Sequence, residues 1–324
     1  MDRFKNILVA TSPGHLEPTT LRAAIELANA NGAHLTVLDV VAPLPAWRRK
    51  MNVEGRVIDI GAQLLHDRGQ RLRHLIENTR GGPDVEVVET TGEPFLEVIQ
   101  RVLVEGHDLV MVGEPVAEKP DEPHLSSGVM HLLRKCPVPV WVMRSGRSST
   151  RRVLALVDPD PDDPVRDRLN DLIMELAVSA AHRMGWELHI GHAWTLAGEA
   201  TLRSSPYVEL PGEMVDVMVR DTEAVRLGQL DVLAIRHVSE SERTVHMVAG
   251  APGAVLPRLT DRLDIGLIVM GTVGRTGLRG LIMGNTAETI LRSVRCSVLA
   301  VKPEGFVTPV KPTRHPRRTT KESP

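Results

Sequence analysis

Aromatic residues are scarce: three Phe, four Trp and one Tyr among 324 positions. Proteins that hold single-stranded nucleic acid stack its bases on aromatic rings, so this scarcity argues against that class. Charge of one sign is also missing. A net charge of −2 supplies no basic field to attract nucleic acid or an anionic membrane. The two cysteines, Cys136 and Cys296, are too few for a disulfide framework or a structural zinc site. They are expected to be buried reduced thiols. No stretch approaches the roughly 20 apolar residues that a membrane helix needs. The start, Met1-Asp2-Arg3-Phe4-Lys5-Asn6, lacks the apolar segment of a signal peptide. No membrane partner is expected, and the cytoplasm is the simplest location. Absent too are a phosphate loop ending in Gly-Lys-Ser/Thr, a Gly-x-Ser-x-Gly elbow and a His-Glu-x-x-His helix.

What remains is an ordinary globular composition, 42% hydrophobic and 25% charged, with a core resting on Leu, Val, Ile, Ala and Met. The length suits two domains, each able to bury its own core. Short continuous apolar runs mark strands buried on both faces of a parallel sheet. In the first half these are Ile7–Ala10, Leu35–Val41, Val85–Val88, Leu109–Val112 and Val138–Met143. Helices are predicted between them, over Pro18–Ala30, about Val57–Asn78, from Pro94, and around Val129–Leu133. Residues 146–150 read as a linker. The second half repeats the order, with strands at Val153–Val157, from Glu187, Thr244–Val248, Ile265–Met270 and Ser297–Val301. Its helices are predicted from Asp163-Pro164 to about Met184, over Gly212–Arg236, and from Pro252.

The pairs Gly92/Gly250, Pro94/Pro252, Gly113/Gly271 and Leu133-Arg134/Leu291-Arg292 share one constant offset, which indicates duplication. Alternating strands and helices imply a doubly wound α/β domain in each half. Ligands in such sheets bind beyond the carboxyl ends of the strands, where strand order reverses.

The loop from Gly271 to Thr286 carries Gly271, Gly274, Gly277, Gly280 and Gly284 between a buried strand and a helix. Glycines let backbone N–H groups approach phosphate oxygens, and a helix N-terminus adds oriented donors. Arg275 and Arg279 add positive charge. On these grounds two readings stay open: a phosphate-binding loop, or a tight packing turn.

Gly271-x2-Gly274-x9-Gly284, followed by a small polar residue, resembles the ATP-binding signature of the universal stress protein family. The stretch Gly284–Glu288 with Leu291-Arg292 and Cys296 is similar to the second half of its tandem members. The resemblance covers about Asn6–Met143 and Arg152–Pro303. It implies two tandem domains, each a five-stranded parallel sheet with helices on both faces. It further implies ATP, with Mg2+, in the second half. There Asp158 lines the nucleotide pocket and the backbone near Ala193 meets adenine. Gly271, Gly274, Gly284, Asn285 and Thr286 hold ribose and phosphates. Asn285 departs from the Ser or Thr common at that place. The first half has Ser12 for the aspartate, Val116 for the second glycine and Ser126 for the third, with an acidic, proline-containing Ala117–Pro123 between. It is expected not to bind ATP in the family manner. The organisation expected is a degenerate domain over 1–148, an ATP-binding domain over 149–303 and a basic disordered tail over 304–324. The basic run is counted from Lys302, and a polyanion contact is its sharper alternative.

Asp158–Asp163 fails a calcium loop at its sixth and twelfth positions, so it reads as a loop plus helix cap. His189 and His192 point to opposite faces of a strand and read as core or pocket-lining side chains. His66 and His74 read as a solvated stripe. Met214 and Met218 are expected in the helix core, with a lipid-like ligand surface as the lesser alternative. No catalytic residue and no metal site is assigned; Asp158 and Glu288 are the only carboxylates near the loop. The function expected is an ATP-binding stress-response regulatory protein without strong catalysis. It would act on a protein partner not identifiable from sequence, with homodimer formation left open. The alternatives are a slow ATPase or nucleotidyl transferase, and a scaffold that binds no nucleotide. The segment 196–215 could be a lid or a mobile loop.

Overall fold

A computed structural model describes residues 3–11, 17–43, 50–53, 56–78, 85–114, 125–144, 151–204, 210–273 and 283–312. The chain divides into two compact units, drawn mainly from Met1–Gly146 and from Arg147–Leu278 with Ile282–Phe306.

In the first unit the order is β1 (Asn6–Ala10), α1 (Pro18–Asn31), β2 (His34–Val41), β3 (Lys50–Val53), β4 (Arg56–Asp59), α2 (Ile60–Glu77), β5 (Val85–Thr91), α3 (Pro94–Glu105), β6 (Leu109–Gly113), α4 (Ser127–Lys135) and β7 (Val140–Met143). Five strands pair in parallel in the order β5-β2-β1-β6-β7. Ile7, Leu8 and Val9 on the central strand are fully buried, each worth about 1.5–3 kcal/mol of apolar transfer. The chain winds outward from β1 through β2 to β5, then crosses back to β6 and β7. With right-handed crossovers, that reversal puts α1 and α2 on one face and α3 and α4 on the other. Accordingly α1 packs on β1, β2 and β6, and α3 packs with α4.

The second unit repeats the plan: β8 (Arg152–Leu156), α5 (Pro164–Met184), β9 (Glu187–Trp194), α6 (Glu199–Ser204), α7 (Gly212–Ile235), β10 (Arg243–Ala249), α8 (Pro252–Arg262), β11 (Leu267–Gly271), α9 (Asn285–Ser293) and β12 (Ser297–Val301). Its strands run in parallel as β10-β9-β8-β11-β12. Proline opens α1, α3, α5 and α8, where its missing N–H has no intrahelical partner to lose. Gly32 and Gly185 close α1 and α5 in the left-handed region, at φ 55° and 63°, which costs a glycine little.

Three expectations need correction. Residues 57–59, read as the start of a helix, belong to an antiparallel hairpin, β3 with β4. Asp59 ends that hairpin and caps α2, its carboxylate accepting from Ala62 N–H at 3.1 Å. Met214 and Met218 do not face the core, at 50% and 36% exposure. The inward face of α7 is set by Val215, Leu230, Leu233 and Ala234. Lys302, counted with the basic tail, is buried directly after β12. Segment 196–215 contains α6 and the start of α7, with 205–209 outside the described residues. Residues 304–312 form no helix or strand, and 313–324 lie outside the described residues. Among the described residues no helix is long and apolar enough to cross a membrane.

Candidate functional site

In the second unit, strand order reverses between β8 and β11, so the loops at their carboxyl ends flank one crevice. Leu156 pairs with Met270 on one side and Gly191 on the other. Just beyond, Val157 N–H donates to Gly191 O at 3.1 Å. Asp158 follows, fixed by a reciprocal pair of bonds with buried Asn170 of α5. Its N–H donates to Asn170 Oδ1, and Asn170 Nδ2 donates to its carbonyl, both at 3.0 Å. The Asp158 carboxylate lies 3.7 Å from Arg166, which also holds Asp160 at 2.7 Å and Asp163 at 3.3 Å. Asp163 in turn caps α5, accepting from Val165 and Arg166 N–H groups. The aspartates thus close on a guanidinium. Among the described residues no group of three His, Cys, Asp or Glu is arranged to hold a metal. Asn170 and Arg166 were missed from sequence; the Asp163–Arg166 spacing of one helical turn was the available signal.

Ala193 is buried near the end of β9, paired with Val248. Beside it, His192 Nδ1 lies 3.0 Å from Val157 O. A carbonyl only accepts, so this nitrogen carries the proton. The other face of the strand holds His189, whose Nδ1 sits 2.9 Å from His246 Nε2 with the rings stacked. Burial pushes both rings below the ordinary histidine value.

Gly271 ends β11, and a Cβ there would lie 2.8 Å from Leu169 Cδ2 of α5. The glycine therefore has a packing role in its own right. Gly113 matches it in the first unit, where a Cβ would lie 2.7 Å from Thr20 Oγ1 and 2.8 Å from Glu17 Cβ. The neck of the glycine loop is pinned by a Val273–Met283 bridge and by Gly284 N–H donating to Thr272 O at 3.0 Å. Gly274, Arg275 and Arg279 lie outside the described residues. Gly284 is the N-cap of α9 and, lacking a side chain, leaves the helix with no side-chain cap. Asn285 and Thr286 open that helix and are exposed. Glu288 pairs with Arg292 at 2.9 Å. The structure thus brings Asp158, Ala193, Gly271, Gly284, Asn285 and Thr286 to the carboxyl edge of one sheet.

The first unit fills the corresponding edge with its own groups. Ser126 caps α4, accepting from Val129 N–H. Its own N–H donates to Glu114 Oε1 at 2.5 Å, and its hydroxyl donates to Oε2 at 3.2 Å. Burial pushes the Glu114 carboxyl up, while the Ser126 bonds and the Arg144 charge pull it down. Beside β1, buried Asp39 accepts from Thr11 Oγ1 at 2.5 Å and Arg68 Nη2 at 2.6 Å. Ser12, Val116 and the segment 117–123 lie outside the described residues.

The universal stress protein family model matches residues 3–144 and again 150–302. Universal stress protein E of Escherichia coli K12 is 27% identical over 325 residues, covering 96% of this chain and 98% of that protein. The universal stress protein E homolog of Haemophilus influenzae Rd is 25% identical, over 93% and 98% of the two chains. Among solved structures, a functionally unknown protein of Pseudomonas aeruginosa PAO1 superposes with a TM-score of 0.64 at 25% identity, over 94% of this chain and 95% of that one. A universal stress protein of Archaeoglobus fulgidus shares the fold with a TM-score of 0.58 at 18% identity, over 92% and 96%. With both halves matched and both folded to the same plan, the chain belongs to the universal stress protein family as a tandem, two-domain member.

Proposed function

We propose that this protein is a nucleotide-dependent regulator in the stress response, whose second unit binds one ATP and whose first unit binds none. The observation that carries this is the contrast between two equivalent helix starts. In the second unit α9 begins at Gly284 with no side-chain cap, just after the Val273–Met283 bridge at the sheet's switch point. In the first unit α4 begins at Ser126, capped and bound to Glu114. An uncapped helix start with small residues around it suits a phosphate group, and a start already met by a carboxylate does not. The Asp158 backbone, fixed by Asn170, and the β9 end at Ala193 would border the nucleoside. Gly284, Asn285 and Thr286 would meet phosphates. Magnesium would arrive with the phosphates. Turnover is not favoured: Asp158 is shared with Arg166, and Glu288 with Arg292.

Calorimetric titration of nucleotide-freed protein with Mg-ATP tests the reading, with one site per chain expected. Two sites would overturn the asymmetry between the halves. No binding would leave a scaffold, the second reading. That one is favoured by the apolar side chains Met214, Val217, Val225, Val232 and Ile235 that α7 exposes. Steady phosphate release abolished by Asp158→Ala would instead make it a slow ATPase.

A further inference from the structure

The two units can be compared bond by bond at the carboxyl edge of their fourth and fifth strands. Glu114 N–H donates to Met143 O at 2.9 Å, and Thr272 N–H donates to Val301 O at 3.1 Å. Met143 and Val301 end β7 and β12, so Glu114 and Thr272 occupy the same place. The residue after each fifth strand is a cation, Arg144 in one unit and Lys302 in the other. In the first unit the charge of this cation helps hold the Glu114 carboxyl down against burial, and Glu114 also binds the N-cap of α4. In the second, Lys302 Nζ donates to Thr272 Oγ1 at 2.5 Å and lies 4.9 Å from the Phe306 ring centre. Thr272 also accepts, through its carbonyl, the N–H of the α9 N-cap, Gly284. The ammonium and the helix start thus share Thr272 as a partner, and Lys302 is only 8% exposed.

Exchanging glutamate for threonine at this place removes one negative charge from beside a cation the fold keeps in both halves. A cation and a helix start together favour an anion more than either does alone. We propose that Lys302 binds the phosphate groups of the nucleotide in the second unit, and that Glu114 is the chain's own substitute for that anion in the first. The proposal rests on the ATP reading of the second unit. It assigns Lys302 the part that the lysine of a phosphate loop plays elsewhere.

The test uses the full-length chain and calorimetric titration with Mg-ATP and with adenosine. Lys302→Met is expected to weaken ATP by at least about tenfold, the order expected for one lost charge-assisted bond. Adenosine should bind it as it binds the wild type, and Lys302→Arg should recover ATP affinity. Equal loss of ATP and adenosine would show a packing role and overturn the proposal, as would unchanged ATP affinity. Thr272→Glu recreates the first unit's arrangement and serves if Lys302→Met does not fold. It should fold and melt no lower than the wild type while losing ATP, and wild-type ATP affinity in it would equally overturn the proposal. Failure of the wild type itself to bind ATP would instead sink the nucleotide reading, a separate and recognisable result.

Discussion

His189 and His246 join neighbouring strands through a direct ring-to-ring hydrogen bond. Such a bond needs at least one neutral ring, and burial favours the neutral form of both. Glu187 and Arg152 also face His189, and Arg262 faces His246. With both rings depressed below the 6.5 of the unfolded chain, the unfolded state takes up protons first as pH falls. Their contribution is complete above that value and is lost as pH falls through the depressed folded values. Denaturant melts at pH 7.5 and at pH 5.5 should show weaker folding at the lower pH. A His189→Gln/His246→Gln variant should show a smaller difference. Glu114 acts with the opposite sign: its raised carboxyl binds a proton in the folded chain first, so its contribution grows as pH falls toward 4.5. A second residue-scale prediction separates packing from binding. Gly271→Ala brings a Cβ against the terminal methyl of Leu169, which can turn aside, and should destabilise by about 1 kcal/mol or less. Gly284→Leu changes a residue with φ −63° and ψ 139°, a backbone conformation that any residue adopts. It should fold as the wild type and lose ATP, which melting and calorimetry read together.

At the scale of elements, much of the fold was legible because sequence and geometry share the same punctuation. Proline opened four helices where expected, and the Gly92/Gly250 and Gly113/Gly271 pairs fall at matching ends of matching strands. What escaped had physical reasons. The start of β4 is not separable from α2 by pattern, since an apolar pair such as Val57-Ile58 fits either period. Met214 and Met218 were misread because α7 carries apolar residues on two sides, and periodicity alone does not say which side faces the sheet. Lys302 was lost in a count of tail charges, although its place after a strand, matched by Arg144, was present in the repeat. Of the candidate site, the sequence pointed to Asp158, Gly271, Gly284, Asn285 and Thr286, which lie at the carboxyl edge of one sheet. Its supporting contacts were less so: Asn170 and Thr272 act through distances that only folding brings about, and Arg166 showed only in its one-turn spacing from Asp163. In the first unit, Ser126→Ala tests the contact that closes the matching edge. It removes the cap of α4 and a donor to Glu114, and should cost about 1 kcal/mol, the usual worth of a cap, in a denaturant melt.

For the molecule as a whole, duplication produced two units with the same strand order and opposite chemistry at the same edge. One is closed by its own carboxylate, and the other begins its last helix with a bare glycine. Hydrogen exchange followed with and without ATP should show slowing at Thr272 and the first turn of α9, and none at Glu114 or α4. Equal slowing in both would contradict the asymmetry. With ATP bound as proposed, the second unit's resistance to unfolding should rise with free nucleotide, by about 2.7 kcal/mol at a hundredfold excess over Kd. On the proposed reading, the first unit, closed by Ser126 and Glu114, would gain nothing from the same ligand. Where proteases are present, the second half would be cut faster as ATP runs low than when ATP is plentiful. The amount of intact protein would then follow the energy supply around it, through turnover alone.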